Sequence, residues 1–206
     1  MENVEGILLG NAIEYSREIY RKLNAIGYKV MHKLLKGEQM GVPQTRHRVF
    51  FIATQNDFDF ENLDLNFNYE KIPYNVIKFG GAYFRKTQKA LIAKKVKESE
   101  TDLRSAMKRE KGRKSYFSEK VVWGKNVCPT LTSGGSEIWI ENTGTHLNDN
   151  ETINIQTFPQ DYDFCGQNVK YICGMSVPPI MIKRIVTRLI ESGIFKEQKN
   201  EQRTDY

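Results

Sequence analysis

Gly41-Val42-Pro43-Gln44-Thr45-Arg46-His47-Arg48 runs directly into Val49-Phe50-Phe51-Ile52-Ala53, and this junction decides the fold class. A short, nearly continuous apolar run suits a strand covered on both faces, as in an α/β sheet. Two arginines at i and i+2 entering a strand project to the same side. Their guanidinium forks would hold a phosphate or a base carbonyl in two-pronged fashion, with Gln44 as an amide reader. An exposed basic loop is the plainer alternative for the same residues.

Working outward, residues 13–26 place Ile19, Leu23 and Ile26 on one helical stripe, and Gly27 is a natural stop. A strand over Tyr28–Leu35 and the loop KGEQMGVPQTRH lead into the apolar strand. Residues 54–145 carry short strand-like pieces (VVW, EIWIE), a charged helical stretch and Gly-rich turns. A last helix is predicted from Val177 to Ser192, with Ser176 as N-cap, two prolines in the first turn and Gly193 behind it. The polar stretch 196–206 reads as a flexible tail.

The chain has 206 residues and 39% apolar side chains, enough for one large domain or a medium domain plus a small one. No apolar run approaches the roughly 20 residues of a membrane span. The opening MENVEG has neither the basic nor the apolar region of a secretory signal. Three cysteines, Cys128, Cys165 and Cys173, are an odd count without C-x-x-C spacing. That argues against a disulfide framework or a zinc finger; all three are expected as buried thiols in a reducing, cytoplasmic setting. His32, His47 and His146 are scattered and suggest no metal site. The net charge of +6 is uneven: residues 85–125 hold 14 basic against 5 acidic side chains, whereas 54–70 hold 5 acidic and no basic ones. Such a basic block suits a polyanion; a solvated helical face of mixed sign is the alternative.

The G-V-P-Q-x-R-x-R strand motif resembles that of the DNA cytosine-5 methyltransferases, and further landmarks follow in order. Glu2-Asn3-Val4, 42 residues before Gln44, is similar to the family's Glu-Asn-Val motif. Pro129-Thr130-Leu131-Thr132-Ser133-Gly134-Gly135 resembles its Pro-Thr-Leu-Thr recognition stretch. Gln156-Thr157-Phe158-Pro159-Gln160-Asp161-Tyr162 and Gly174-Met175-Ser176-Val177-Pro178-Pro179 resemble its last two segments, with Met175 where Asn is usual.

The resemblance implies an α/β fold: the C-terminal part of a doubly wound S-adenosylmethionine-dependent methyltransferase plus a small target-recognition domain. Residues 1–53 would belong to the catalytic domain, 54–145 would form the basic recognition domain, and 146–195 would return to the catalytic domain. It further implies methyl transfer from S-adenosylmethionine to C5 of a cytosine flipped out of duplex DNA, after a cysteine thiolate adds to C6. Glu2 would protonate N3, a task that favours a buried carboxyl. Arg48 would hold the cytosine O2 or the adjacent framework, and Arg46 would contact phosphate or steady the flipped nucleotide. Ser176, Val177 and Phe158 would lie at the cofactor. Gln44, Thr132, Ser133, Gly134 and Gly135 would meet DNA. Each has a structural alternative: Glu2 as an ordinary terminal acid, Phe158 as core, Ser176 as a cap only, Thr132–Gly135 as a hairpin turn.

The resemblance covers the second half of the family. The Gly-rich cofactor loop and the Pro-Cys-Gln nucleophile do not occur in the sequence. They are therefore expected either on a separate N-terminal polypeptide or lost through a frameshift, an intron or a mis-called start; the isolated chain is expected to be inactive, and Glu2 is expected to fray. Without sheet neighbours, the 49–53 strand is expected to be an exposed edge. A non-catalytic DNA-binding module or gene remnant is the alternative, with an RNA substrate a lesser variant. The Lys/Asn/Ile-rich composition suggests a bacterial or phage origin and a restriction-modification setting.

Overall fold

The computed structural model describes residues 1–79, 84, 86–113, 115, 116, 118–134 and 137–195. The stretch 196–206 expected as a tail, and Gly135 among the site residues, lie outside them. The chain divides into two units, one of residues 1–35, 47–67 and 183–206, the other of 36–46 and 68–182.

The first unit opens with strand β1 (Glu2–Val4), then two 3-10 turns and helix α1 (Ile13–Ala25). Gly27, at φ +86°, ends the helix as the sequence predicts. Its N–H bonds to Asn24 O and that of Tyr28 to Leu23 O, a pair that closes a Schellman turn. Strands β2 (Lys29–Lys36) and β3 (His47–Thr54) complete a sheet in the order β1-β3-β2. β3 is thus the central strand, not the predicted exposed edge, because β1 supplies the neighbour on its other side. Pairing is antiparallel, with Glu2 opposite Phe50 and Val4 opposite Arg48. Val49 and Phe51 are buried with Ile7, and Ile19, Tyr20 and Leu34 pack against them. Ile26, predicted on the covered stripe, is exposed, because the Schellman turn carries it past the end of the sheet-facing side.

The second unit is built on a two-stranded ribbon, β4 (Lys120–Val122) with β5 (Ile138–Ile140). The strands run parallel, so the turn at Thr132–Gly134 is not a hairpin. Successive side chains go to opposite faces. Val121 and Trp139 join Leu103, Ala106 and Met107 of helix α4 (Leu103–Lys111) and residues of α3 (Gln88–Ala93). On the other face, Val122, Ile138 and Ile140 meet Tyr74 at the head of α2 (Tyr74–Ile77), Ile155 of α5 (Asp149–Gln156) and Cys173 of α6 (Val169–Met175). Leu147, Ile155 and Cys173 therefore share a core with the ribbon. The final helix α7 spans Pro179–Glu191.

Among its described residues the basic block holds helices α3 and α4 and strand β4, with part of its charge answered locally. Lys95 pairs with Glu110 at 2.7 Å, and Arg109 with Glu100 and Lys125 with Glu98 make further pairs. Exposed pairs of this kind add little stability, but they lower the field offered to a polyanion.

Candidate active-site strand and recognition loop

Glu2 sits opposite Phe50, so Arg48, two residues back on β3, is its diagonal neighbour on the same face. The pair closes with Arg48 Nε 2.7 Å from a Glu2 carboxylate oxygen, the side chains being 15% and 32% exposed. Burial pulls the Arg48 guanidinium below its usual range, and the Glu2 carboxylate opposes that shift. Arg48 Nη1 also donates to His47 O at 2.7 Å. Glu2 does not fray. The Met1 ammonium donates to Phe51 O and Phe51 N–H donates to Met1 O, both at 2.9 Å, which extends the strand ladder to the first residue. The result is a carboxylate and a guanidinium held together on adjacent strands, both partly exposed to solvent.

Gln44 and Arg46 have a different position. Gly41, at φ +62°, turns the chain after the 3-10 segment Gly37–Met40. The loop then closes on itself through Gly37 N–H to Arg46 O at 2.8 Å and Val42 N–H to Gly37 O at 3.0 Å. Strand β3 begins only at His47, so Arg46 precedes the pleat and the same-side expectation for the two arginines fails. Arg46 is 1% exposed. Its two terminal nitrogens donate to Leu131 O at 2.8 Å and Gly174 O at 2.9 Å. Gln44 is fully buried. Its amide donates to Ile155 O and Gln156 Oε1, at 3.1 and 2.6 Å, and accepts from Leu131 N–H at 3.2 Å. Both residues expected to face DNA point instead into the protein, because the buried backbone carbonyls and N–H of three segments need partners there.

The same network reaches the closing motif. Gln156 Nε2 donates to Ser176 O at 2.9 Å and Ser176 Oγ at 2.8 Å, and the serine hydroxyl donates to Cys173 O at 3.1 Å. Ser176 therefore ends α6 and does not cap α7, whose first residue is Pro179. Val177 is half-buried. Phe158 is half-buried with its ring 4.7 Å from that of Tyr162 and 5.5 Å from that of Phe164. It also lines a cavity of about 520 Å³ with Gly41, Pro43, Phe79, Thr157 and Ile180. Thr132 and Gly134 are exposed and Ser133 half-exposed. Their loop is tied down on its near side by Thr130 Oγ1, which donates to Thr45 O at 2.5 Å.

Two buried carboxylates escaped the sequence reading. Glu151 accepts from Tyr74 Oη at 2.6 Å, Phe79 N–H at 3.2 Å and Asn148 N–H at 3.0 Å. It also closes a capping box with Asn148, and N-x-x-E was the signal available for it. Glu119 accepts from Trp139 Nε1 at 2.8 Å, Glu137 N–H at 3.2 Å and Lys89 Nζ at 2.5 Å. Nothing in its local sequence announces this. Of the cysteines, Cys128 and Cys173 are buried but Cys165 is exposed, against the expectation of three buried thiols. Cys165 lies in a turn at φ +51°, outside the periodic segments that fill the cores.

The sequence matches the family "C-5 cytosine-specific DNA methylase" over residues 1–191. It is 28% identical to the type II methyltransferase M.BspRI of Lysinibacillus sphaericus across 82% of this chain and 42% of that protein. It is 25% identical to M.AplI of Arthrospira platensis across 100% of this chain and 59% of that protein. The chain thus spans about half the length of these curated relatives. Among solved structures, the methyltransferase EhMeth of Entamoeba histolytica superposes with a TM-score of 0.61 at 18% identity, covering 95% of this chain and 62% of that one. This likeness gives the fold as the C-terminal portion of a methyltransferase. With the family matched over nearly all its described residues, the chain belongs to the C-5 cytosine-specific DNA methylases.

Proposed function

We propose that this chain supplies target recognition and one wall of the base pocket in a DNA cytosine-5 methyltransferase acting on duplex DNA in the cytoplasm. A second polypeptide would carry the Gly-rich cofactor loop and the Pro-Cys-Gln nucleophile. The observation that carries this reading is the Glu2–Arg48 pair, 2.7 Å apart on neighbouring strands and open to solvent. Attack of a thiolate on C6 of a flipped cytosine makes C5 nucleophilic only if the ring's growing negative charge is neutralised. Glu2 would hold its proton at N3, and Arg48 would fix the orientation of that carboxyl while donating to the base O2. Fixed donors placed where charge develops are the strongest single aid to such a step.

S-adenosylmethionine would supply the methyl group. Gln156 and Cys173 take up the carbonyl and hydroxyl of Ser176, so Ser176 would serve the cofactor by fixing the backbone that leads to Val177 and not through its own polar atoms. Phe158 stands on the other side of Gln156 in sequence, its ring set by Tyr162 and Phe164. For DNA, the exposed loop at Thr132–Gly134 offers hydroxyls and backbone N–H groups, while Gln44 and Arg46 act from behind it.

The test is transfer of labelled methyl groups to duplex DNA by the chain alone and with the polypeptide encoded immediately upstream supplied in trans. Activity in the mixture that is lost with Glu2→Ala or Arg48→Ala supports the reading. Transfer by the chain alone would place the nucleophile within it and overturn the division of labour. Salt-sensitive DNA binding without transfer in either case would leave a recognition module.

A further inference from the structure

We propose that Arg46 and Gln44 are positioning residues for DNA reading: they act through the Leu131–Gly134 loop, which they clamp to Gly174–Ser176, and touch no DNA themselves. The inference deepens the proposed function and rests on it. Three observations on one side of the second unit converge. Arg46 bridges Leu131 O and Gly174 O. Gln44 takes Leu131 N–H and passes its own amide to Gln156, which holds Ser176. Gly174 lies so close to the loop that a methyl group on its Cα would collide with the backbone of Thr132 and Ser133. Leu131 is thereby gripped by both its N–H and its carbonyl, one residue before the exposed Thr132.

A fork is suited to this work because two carbonyls on separate segments are held by one planar group at fixed separation. A surface arginine answering a phosphate would instead be solvated and would release counterions on binding. Arg46, at 1% exposure, has the burial of a bracket. Pre-setting the loop removes the ordering cost that DNA binding would otherwise carry.

The test compares Arg46→Met, Gln44→Met and Gly174→Ala with the unmodified chain. Duplex-DNA affinity is measured over a range of salt, and backbone amide exchange is followed in each variant. Arg46→Met removes the fork, and Gly174→Ala pushes the loop off from the other side without changing any charge. Both should weaken DNA binding about tenfold or more with the slope of log affinity against log salt unchanged, since no phosphate contact is lost. Amide exchange should quicken at residues 131–134 and 174–176 in all three variants and stay unchanged across Val49–Ile52 of β3.

A slope reduced by about 1 in Arg46→Met would mean a direct phosphate contact and would overturn the proposal. So would DNA binding of Gly174→Ala equal to the unmodified chain, or loop exchange that does not change. Where Arg46→Met does not fold, Gln44→Met and Gly174→Ala decide the matter alone. Failure of the unmodified chain to bind duplex DNA would count against the proposed function as well, whereas the exchange result reports on the clamp by itself.

Discussion

Arg46 and Arg48 are two residues apart in one motif, yet their surroundings are opposite. Arg46 belongs to the second unit, sealed among the carbonyls of Leu131 and Gly174. Arg48 belongs to the first unit, on an open sheet face beside Glu2. The start of β3 at His47 divides a buried arginine from one that is partly exposed. The difference shows that a shared motif does not imply a shared role; burial and the identity of the partner decide it.

The largest expected effect lies on the buried side. Arg46→Ala leaves the Leu131 and Gly174 carbonyls without their donor, and should destabilise by about 3–5 kcal/mol in chemical denaturation. Arg48→Ala breaks a pair that is partly solvated and screened, and should cost about 1 kcal/mol or less. If the two losses were equal, the contrast between the arginines would be void. Gly174→Ala comes next, at about 1–3 kcal/mol, from the collision with Thr132 and Ser133. Tyr74→Phe, which removes the hydroxyl donated to Glu151, should cost about 1.5–3 kcal/mol by the same denaturation measurement.

The thiols sharpen the comparison further. Burial, reinforced by Asp149, pushes Cys173 up to about 12, and burial likewise pushes Cys128 upward. An unfolded thiol ionises near its ordinary value of 9.0 while the folded one keeps its proton. Stability from this source is therefore complete below pH about 9 and is lost as pH rises toward 12. At pH 8, a thiol reagent should label Cys165 quickly and reach Cys128 and Cys173 only on unfolding. Fast labelling of all three in the native protein would contradict the buried assignment.

Much of the fold was legible. Helix α1 with Ile19 on its covered side, its Gly27 stop and the apolar run of β3 lie where local pattern places them, because each depends on neighbours in sequence. The Glu-Asn-Val landmark proved to be a strand whose register sets Glu2 diagonally from Arg48. Other features depend on distant partners. The parallel pairing of β4 and β5 and the inward turn of Gln44 and Arg46 have no local signature. Nor does the burial of Glu119 beneath Trp139, since a charged residue in a charged block reads as solvated until the fold supplies donors. Ser176 illustrates the same limit: a serine before two prolines is a cap by pattern, but Gln156 and Cys173 claim its polar atoms.

In the proposed function, Glu2, held by Arg48, would be the acid of a cytosine pocket completed by a second polypeptide. The most direct test of that role is labelled methyl transfer to duplex DNA by the chain mixed with the polypeptide encoded upstream, with Glu2→Ala and Glu2→Gln measured alongside. The account predicts transfer that both substitutions abolish while thermal unfolding of the chain stays within a few degrees of the unmodified protein. Undiminished transfer by Glu2→Ala would contradict it.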